Sequence, residues 1–168
     1  MAKGARRIVT GHDENGKAVV VIDDIVEPEV VRDRAAYFTK IWTTNVSPAD
    51  NNDPFDGGKR EVGLTCPGGT VLRFVDIGPG TRTAMHRTDS LDYGIVLNGA
   101  IELELDDGNT VRVEAGDTVV QRGTIHAWVN DGSDWVRMVF FMIDAEPAIV
   151  DGKPLPAMGS TYGQPQGK

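Results

Sequence analysis

The segments GTRTAMHRTDSLDYGIVLNG (residues 80–99) and GDTVVQRGTIHAWVN (residues 116–130) decide the fold predicted for this chain. Each contains one histidine, His86 or His126, which lies beside a glycine turn at the mouth of an apolar strand. A rigid sheet can aim an imidazole at such a position into an enclosed space. The two histidines are therefore the first candidates for functional residues.

Short β-like runs surround these two segments. Residues 71–77 form an apolar run that ends at a Gly-Pro-Gly turn, and in residues 101–105 apolar side chains alternate with glutamates. Alternation of this kind is typical of a strand with one buried face. Further runs follow at residues 111–114, 117–121, 125–129 and 135–143. Many short strands with few helices predict a β-sandwich or barrel.

The first part of the chain has its own local signals. An Asn-Gly pair at residues 15–16 predicts a hairpin between the β-like runs on either side. Pro28 is typical of a first helical position, so residues 28–35 are predicted to form a short helix. Residues 45–69 are rich in Asn, Asp, Pro and Gly and predict a long loop, either a functional lid or partly disordered.

These signals predict one domain with three parts. Residues 1–69 supply a hairpin, a short helix and a loop that pack on a barrel, residues 70–144 form the core, and residues 145–168 form a C-terminal arm. At 168 residues the chain is long enough to bury a sizeable core.

Both quoted segments resemble the two motifs of the cupin superfamily. In the first motif, Gly80, His86, Asp92 and Gly99 stand at the family's spacing, with Thr88 in place of a second histidine. Asp92 stands in place of the family's glutamate. The resemblance implies an all-β, cupin-type jelly-roll barrel (a double-stranded β-helix) with a pocket around His86, Asp92 and His126.

The second motif is matched at Gly116, Gly123, His126 and Asn130, although Arg122 directly precedes the glycine and one residue is missing. Sixteen residues separate Gly99 from Gly116, the short spacing of small single-domain cupins. Two partly degenerate motifs in register predict the fold strongly and the activity weakly.

Family metal sites use three histidines and one glutamate, so the resemblance implies a set of His86, Asp92 and His126 for one divalent ion (Fe, Mn, Ni or Zn). Two histidines and one carboxylate suit a divalent metal with open positions. A metal-free site is the alternative, in which a histidine near neutral pKa moves protons and Asp92 or Asp89 orients it. The same histidines could also be satisfied polar positions in a barrel that only binds a ligand.

Several neighbouring side chains are candidates for substrate binding. Trp128 shares strand parity with His126 and would form a flat apolar wall. Arg73 could meet a substrate carboxylate or carbonyl, or form a surface ion pair. The remaining candidates are Phe140, Met138, Thr88 and Asp89. Tyr93 is expected on the opposite face of its strand, and His12, beside a hairpin turn, is expected to be exposed.

The net charge of −8 argues against nucleic acid or an anionic membrane as a partner. A single cysteine, Cys66, excludes an internal disulfide, and the sequence lacks signal-peptide and membrane-spanning patterns, which favours the cytoplasm. In residues 135–143 apolar side chains occupy both faces of the strand, interrupted only by Arg137. A second layer, such as another subunit, would cover the outer face, so a homodimer is predicted.

We therefore predict a small cupin enzyme that performs proton-transfer chemistry, as a dehydratase, lyase or isomerase, on a small oxygenated organic substrate. An iron-dependent dioxygenase and a non-catalytic cupin that binds a small molecule are the alternatives.

Overall fold

The computed structural model describes residues 3–31 and 35–159, and strands account for most of them. The strands are β1 (Ala5–His12), β2 (Ala18–Val26), β3 (Glu29–Val31), β4 (Ala36–Thr44), β5 (Thr70–Ile77), β6 (Thr81–Arg82), β7 (Ser90–Asn98), β8 (Ala100–Glu104), β9 (Thr110–Glu114), β10 (Thr118–Arg122), β11 (Ala127–Asn130), β12 (Val136–Asp144), β13 (Ile149–Val150) and β14 (Lys153–Pro154). Two short 3₁₀ turns, Gly57–Lys59 and Asp106–Gly108, are the helical segments of this part of the chain. Neither is long and apolar enough to cross a membrane.

Two antiparallel sheets enclose the core. The larger has the strand order β10-β7-β12-β5-β4-β3 and the smaller has the order β6-β11-β8-β9. Their inner faces carry the most deeply buried apolar side chains, among them Ile77, Val96, Ile101 and Met138. This arrangement is the predicted all-β jelly roll. The larger sheet includes β3 and β4, so residues before position 70 supply strands as well as a covering layer.

Alternation along β7 and β12 sets which side chains face inward. In β12, Met138, Phe140 and Met142 are buried in the core, whereas Phe141 on the outer face is 44% exposed. Tyr93 of β7 also lies on the outer face, as predicted, and pairs with Phe141 across the strands. The homodimer inferred from this strand stays a prediction.

The predicted helix at residues 28–35 is wrong for its first half. Glu29–Val31 forms strand β3, which pairs antiparallel with the start of β4. Val30 and Val31 are β-branched and favour an extended backbone, and the free edge of the sheet supplies hydrogen-bond partners that a short helix would lack. Pro28 directly before a strand is compatible with that edge. Residues 32–34 lie outside the described residues.

The segment 45–69 packs along the barrel, and its 3₁₀ turn is held at both sides. Asp56 accepts a hydrogen bond from the Gly58 amide, and the Thr43 hydroxyl of β4 donates to the Gly57 carbonyl over 2.7 Å. Further along, Leu64 packs against the core. This segment therefore forms part of the wall of the barrel interior.

Arg7 connects the β1–β2 hairpin to this segment. Its side chain is 6% exposed and its Nη1 and Nη2 atoms lie 2.7 Å and 2.6 Å from carboxylate oxygens of Asp56 and Asp24. We expect Arg7→Ala to lower Tm by about 5–12 °C, because it leaves the largely buried Asp56 without its guanidinium, at a cost of about 2–4 kcal/mol. Thermal unfolding followed by circular dichroism measures this shift.

Arg6→Ala is the matched control, since the Arg6–Asp23 pair is exposed on the same hairpin, with side-chain exposures of 62% and 47%. Exposed pairs contribute little, so its Tm should fall by less than about 2 °C. Equal losses in the two variants would contradict the role assigned to Arg7.

Candidate active site

A cavity of about 410 Å³ lies between the two sheets. This volume falls within the range of small-ligand sites, roughly 300–1,000 Å³. Its walls are mostly apolar and are built by Phe38, Leu64, Val75, Trp128, Phe140 and Met142. Its polar lining consists of two threonines and five larger side chains, namely Thr81, Thr83, Arg73, His86, Asp92, Gln121 and His126. A largely apolar space with a few convergent polar groups is the usual form of a site for a small organic molecule.

His86 and His126 come together although 40 positions separate them along the chain. Their backbones form an antiparallel bridge, with both N–O distances at 2.9 Å. The centroids of the two imidazole rings are 4.3 Å apart. The structure therefore brings these two histidines together in one cavity, as the sequence predicts.

Both imidazoles are oriented by the backbone. Nδ1 of His86 lies 2.9 Å from the Ala84 carbonyl oxygen, and Nδ1 of His126 lies 3.0 Å from the Thr124 carbonyl oxygen. A carbonyl oxygen only accepts hydrogen bonds, so in each neutral ring the proton resides on Nδ1. The lone pair is then on Nε2, the nitrogen left for a bound molecule.

His126 is the more deeply buried of the two histidines, with 3% of its surface exposed. Burial, together with the neighbouring His86 ring, lowers the pKa of His126 to about 4. The His126 ring is therefore neutral at physiological pH and acts as a hydrogen-bond acceptor or a ligand through Nε2.

Asp92 lies on the inner face of β7 and is 3% exposed. Burial raises the pKa of this carboxyl group to about 6, although the Ser90 and Thr88 hydroxyls and Arg73 act to lower it. Its Oδ1 atom is buried and makes no hydrogen bond within the protein. A carboxyl group that exchanges a proton near neutral pH inside a cavity is a candidate general acid or base.

Arg73 on β5 is 2% exposed, so the alternative of a surface ion pair is wrong. Its Nη2 donates to the carbonyl oxygens of Gly63 (2.6 Å) and Leu64 (2.9 Å), and its guanidinium lies 5.1 Å from the centre of the Phe38 ring. The segment 45–69 thus anchors a buried positive charge at the cavity wall.

Gln121 on β10 is a cavity residue that the sequence reasoning missed. It is 3% exposed and pairs across the strands with Asp92. Neither its Oε1 nor its Nε2 atom has a hydrogen-bond partner. Strand parity could have indicated it, because Gln121 follows Val119 by two positions and Val119 packs against the core.

The other predicted substrate-binding residues fall into three groups. Trp128 and Phe140 line the cavity with their rings edge to face, 5.8 Å between centroids. Met138 instead lies in the core at 0% exposure, pairs with Val75 and Val96, and does not line the cavity. Two further candidates, Thr88 and Asp89, line a second cavity that also contains Asp144 and Glu146. His12, finally, is exposed, as predicted.

The metal set implied by the sequence does not fit this arrangement. Within residues 3–31 and 35–159, no group of three or more His, Cys, Asp or Glu side chains is placed to hold a metal ion. Thr88, in the family's second-histidine position, accepts a hydrogen bond from Ser90 over 2.8 Å and does not line this cavity. The cavity offers two imidazole donors and a carboxyl group that burial disposes to protonation.

Comparison with known proteins shows which family this chain is similar to. The family model of the cupin domain matches residues 73–143. A "phomopsin biosynthesis cluster protein C'" of Diaporthe leptostromiformis is 41% identical over 160 residues, covering 89% of this chain and 83% of that protein. The "cupin-domain-containing oxidoreductase fogC" of Aspergillus ruber is 35% identical over 156 residues, covering 89% and 77%.

Among solved structures, the polyketide cyclase RemF from Streptomyces resistomycificus superposes with a TM-score of 0.52 at 21% identity, over 82% of this chain and 80% of that one. At this identity the likeness shows the fold alone. The family model, the relatives matched over most of their length and the two-sheet architecture all agree with the cupin motifs recognised around His86 and His126. This chain belongs to the cupin superfamily.

Proposed function

We propose that this protein is a small cupin enzyme that transfers protons on a small oxygenated organic substrate, as a dehydratase, lyase or isomerase. The observation that carries the proposal is Asp92, a buried carboxyl group with a pKa raised to about 6 in an apolar cavity beside two imidazoles. Such a group matches the requirement that a general base titrate near its working pH.

The proposed reaction begins at a carbon next to a carbonyl group. The Asp92 carboxylate takes a proton from this carbon, and the electron pair of the broken C–H bond forms a C=C bond. The carbonyl oxygen, which gains the charge, takes a proton from Nε2 of protonated His86 and becomes an enol hydroxyl. In a substrate with a further C=C bond, Asp92 returns the proton to the far carbon of the dienol while the enol hydroxyl gives its proton back to His86, so the carbonyl re-forms in an isomer. In a substrate with a hydroxyl on the next carbon, that hydroxyl leaves with its bonding electrons and takes the proton from Asp92 to form water. The enol hydroxyl again returns its proton to His86, and the product is an unsaturated carbonyl compound.

His126 has a different part in this scheme. Its lowered pKa keeps it neutral, so its Nε2 accepts a hydrogen bond from a substrate hydroxyl instead of supplying a proton. The apolar walls around it, Trp128 and Phe140 among them, exclude water and strengthen these hydrogen bonds. The relative named for phomopsin biosynthesis supports a substrate that is a small biosynthetic molecule.

Hydrogen–deuterium exchange tests the proposal directly. In D₂O, the protein should accelerate the loss of CH₂ proton signals of 1-phenylpropan-2-one, an enolisable aryl ketone, as followed by proton NMR. His86→Gln removes the group that protonates the carbonyl oxygen, so the catalysed exchange should fall by about 10²–10⁴-fold.

His12→Gln is the matched control, because His12 is exposed on β1 and lies outside the cavity. Its exchange rate should equal that of the unmodified protein. Exchange that is no faster than in buffer, or that His86→Gln leaves unchanged, would contradict proton-transfer catalysis and favour a cupin that only binds.

An oxidoreductase is the second candidate, favoured by the name of the Aspergillus ruber relative. Such a reaction requires an electron acceptor, which proton transfer does not. Metal analysis of protein purified without chelator, combined with oxygen consumption in the presence of the aryl ketone, separates the two candidates. Stoichiometric redox metal with substrate-dependent oxygen uptake would favour the oxidoreductase.

A further inference from the structure

Gln121 and Asp92 together contribute three buried polar atoms that make no hydrogen bond within the protein. The atoms are Oε1 and Nε2 of Gln121 and Oδ1 of Asp92. The two residues are paired in register on the adjacent strands β10 and β7, and both line the cavity. Buried polar groups in native proteins nearly always have partners, so a cluster of three without any requires an explanation.

The chemistry of the cluster defines what would complete it. An amide offers one acceptor oxygen and two donor hydrogens on nitrogen, all in one plane. The matching group on a ligand carries a donor and an acceptor next to each other. The remaining walls are mostly apolar, and the aromatic rings of Trp128 and Phe140 offer flat surfaces on which a ring of the ligand could pack.

We propose that Gln121 is the specificity-determining residue of the cavity. It selects a flat, largely apolar carbonyl compound that has an N–H or O–H group beside its carbonyl oxygen. The Gln121 amide would donate to that oxygen and accept from the adjacent N–H or O–H, which places the compound against Asp92. This inference deepens the proposed function by naming the substrate class.

Two probes of similar size test the selection. Benzamide presents a donor beside its carbonyl, whereas acetophenone presents the carbonyl alone. The unmodified protein should bind benzamide at least about 10-fold more tightly than acetophenone, measured by ligand-observed NMR titration, because the Gln121 oxygen stays unpaired with the ketone. Gln121→Leu should abolish this preference by weakening benzamide binding.

Thermal stability distinguishes recognition from a structural role. If Gln121 is kept for a ligand, Gln121→Leu removes two unsatisfied buried atoms and should raise the Tm of the ligand-free protein by about 2–4 °C. A glutamine that stabilises the barrel would give the opposite sign.

Thr39→Val is the matched control. Thr39 is fully buried, and its hydroxyl also lacks a hydrogen-bond partner, but it does not line the cavity. This variant should raise Tm while leaving the benzamide preference intact.

The proposal is overturned if the unmodified protein shows no preference for benzamide, if Gln121→Leu retains the preference, or if Gln121→Leu lowers Tm. These tests measure binding and stability, not turnover. If the unmodified protein prefers benzamide and Gln121→Leu abolishes that preference, but the unmodified protein catalyses no deuterium exchange, then the proposed catalysis is refuted and the role of Gln121 in binding is not.

Discussion

Asp92→Asn is expected to lower the rate of proton exchange on 1-phenylpropan-2-one by about 10²–10⁴-fold, the usual contribution of a general base. Asparagine has nearly the same shape as aspartate but cannot accept a proton from carbon at any pH in the working range. The cavity is otherwise retained, so binding of the ketone should change little. The loss should therefore appear in kcat more than in KM.

The pH profile gives a second signature of the same residue. Asp92 is active as the carboxylate, and its pKa of about 6 means that the exchange rate should rise with pH and level off above this value. A profile with no rise near pH 6 would show that another group is the base.

Asp107→Asn is the control for this variant. Asp107 lies in the exposed turn Asp106–Gly108 with φ at 58°, a left-handed conformation that asparagine adopts at least as readily as aspartate. Its exchange rate and pH profile should match those of the unmodified protein. An equal loss in both variants would assign the effect to the removal of negative charge rather than to Asp92.

Strand periodicity explains why the centre of this site was predictable from sequence. His126 and Trp128 are two positions apart, and both line the cavity, as expected where extended backbone continues from the His126 bridge into β11. Asp92 faces inward on β7 and Tyr93 faces outward for the same reason. That the two histidines lie close together could be inferred only from the motifs, because it depends on how the two sheets pack against each other.

Strand alternation does not apply where the chain is irregular, and it does not show whether an inward-facing side chain reaches the cavity. Thr88 and Asp89 lie between the bridge at His86 and the start of β7, so no alternation sets their direction, and they line the second cavity. Met138 was assigned to the inner face of β12, and it is fully buried in the core but does not line the cavity. Local propensity was also insufficient at Glu29–Val31, where pairing with β4 decides the structure.

Asp92 and His126 should also change the free energy of unfolding in opposite directions as pH falls. The folded-state pKa of Asp92, about 6, lies above its ordinary value of 3.8, so the folded protein takes up this proton first as pH falls. Asp92 therefore destabilises the fold at neutral pH, and this penalty disappears between pH 6 and 4. With 1.36 kcal/mol per pKa unit, its size is about 3 kcal/mol.

For His126 the sign is reversed. Its folded-state pKa of about 4 lies below its ordinary value of 6.5, so the unfolded chain takes up this proton first. Stability is lost as pH falls from 6.5 to 4, again by about 3 kcal/mol. Because the two windows overlap, the two contributions nearly cancel in the unmodified protein.

Single variants should expose each contribution, measured as the free energy of urea unfolding between pH 4 and 7.5. Asp92→Asn should exceed the unmodified protein in stability by about 3 kcal/mol at pH 7, and the excess should vanish near pH 4. His126→Gln should gain about 3 kcal/mol relative to the unmodified protein on going from pH 7 to pH 4, since only the Asp92 contribution remains. His12→Gln, exposed on β1, should show no pH-dependent difference. Parallel pH curves for all four proteins would mean that neither side chain is desolvated in the barrel, and the proton-transfer site would then lose its physical basis.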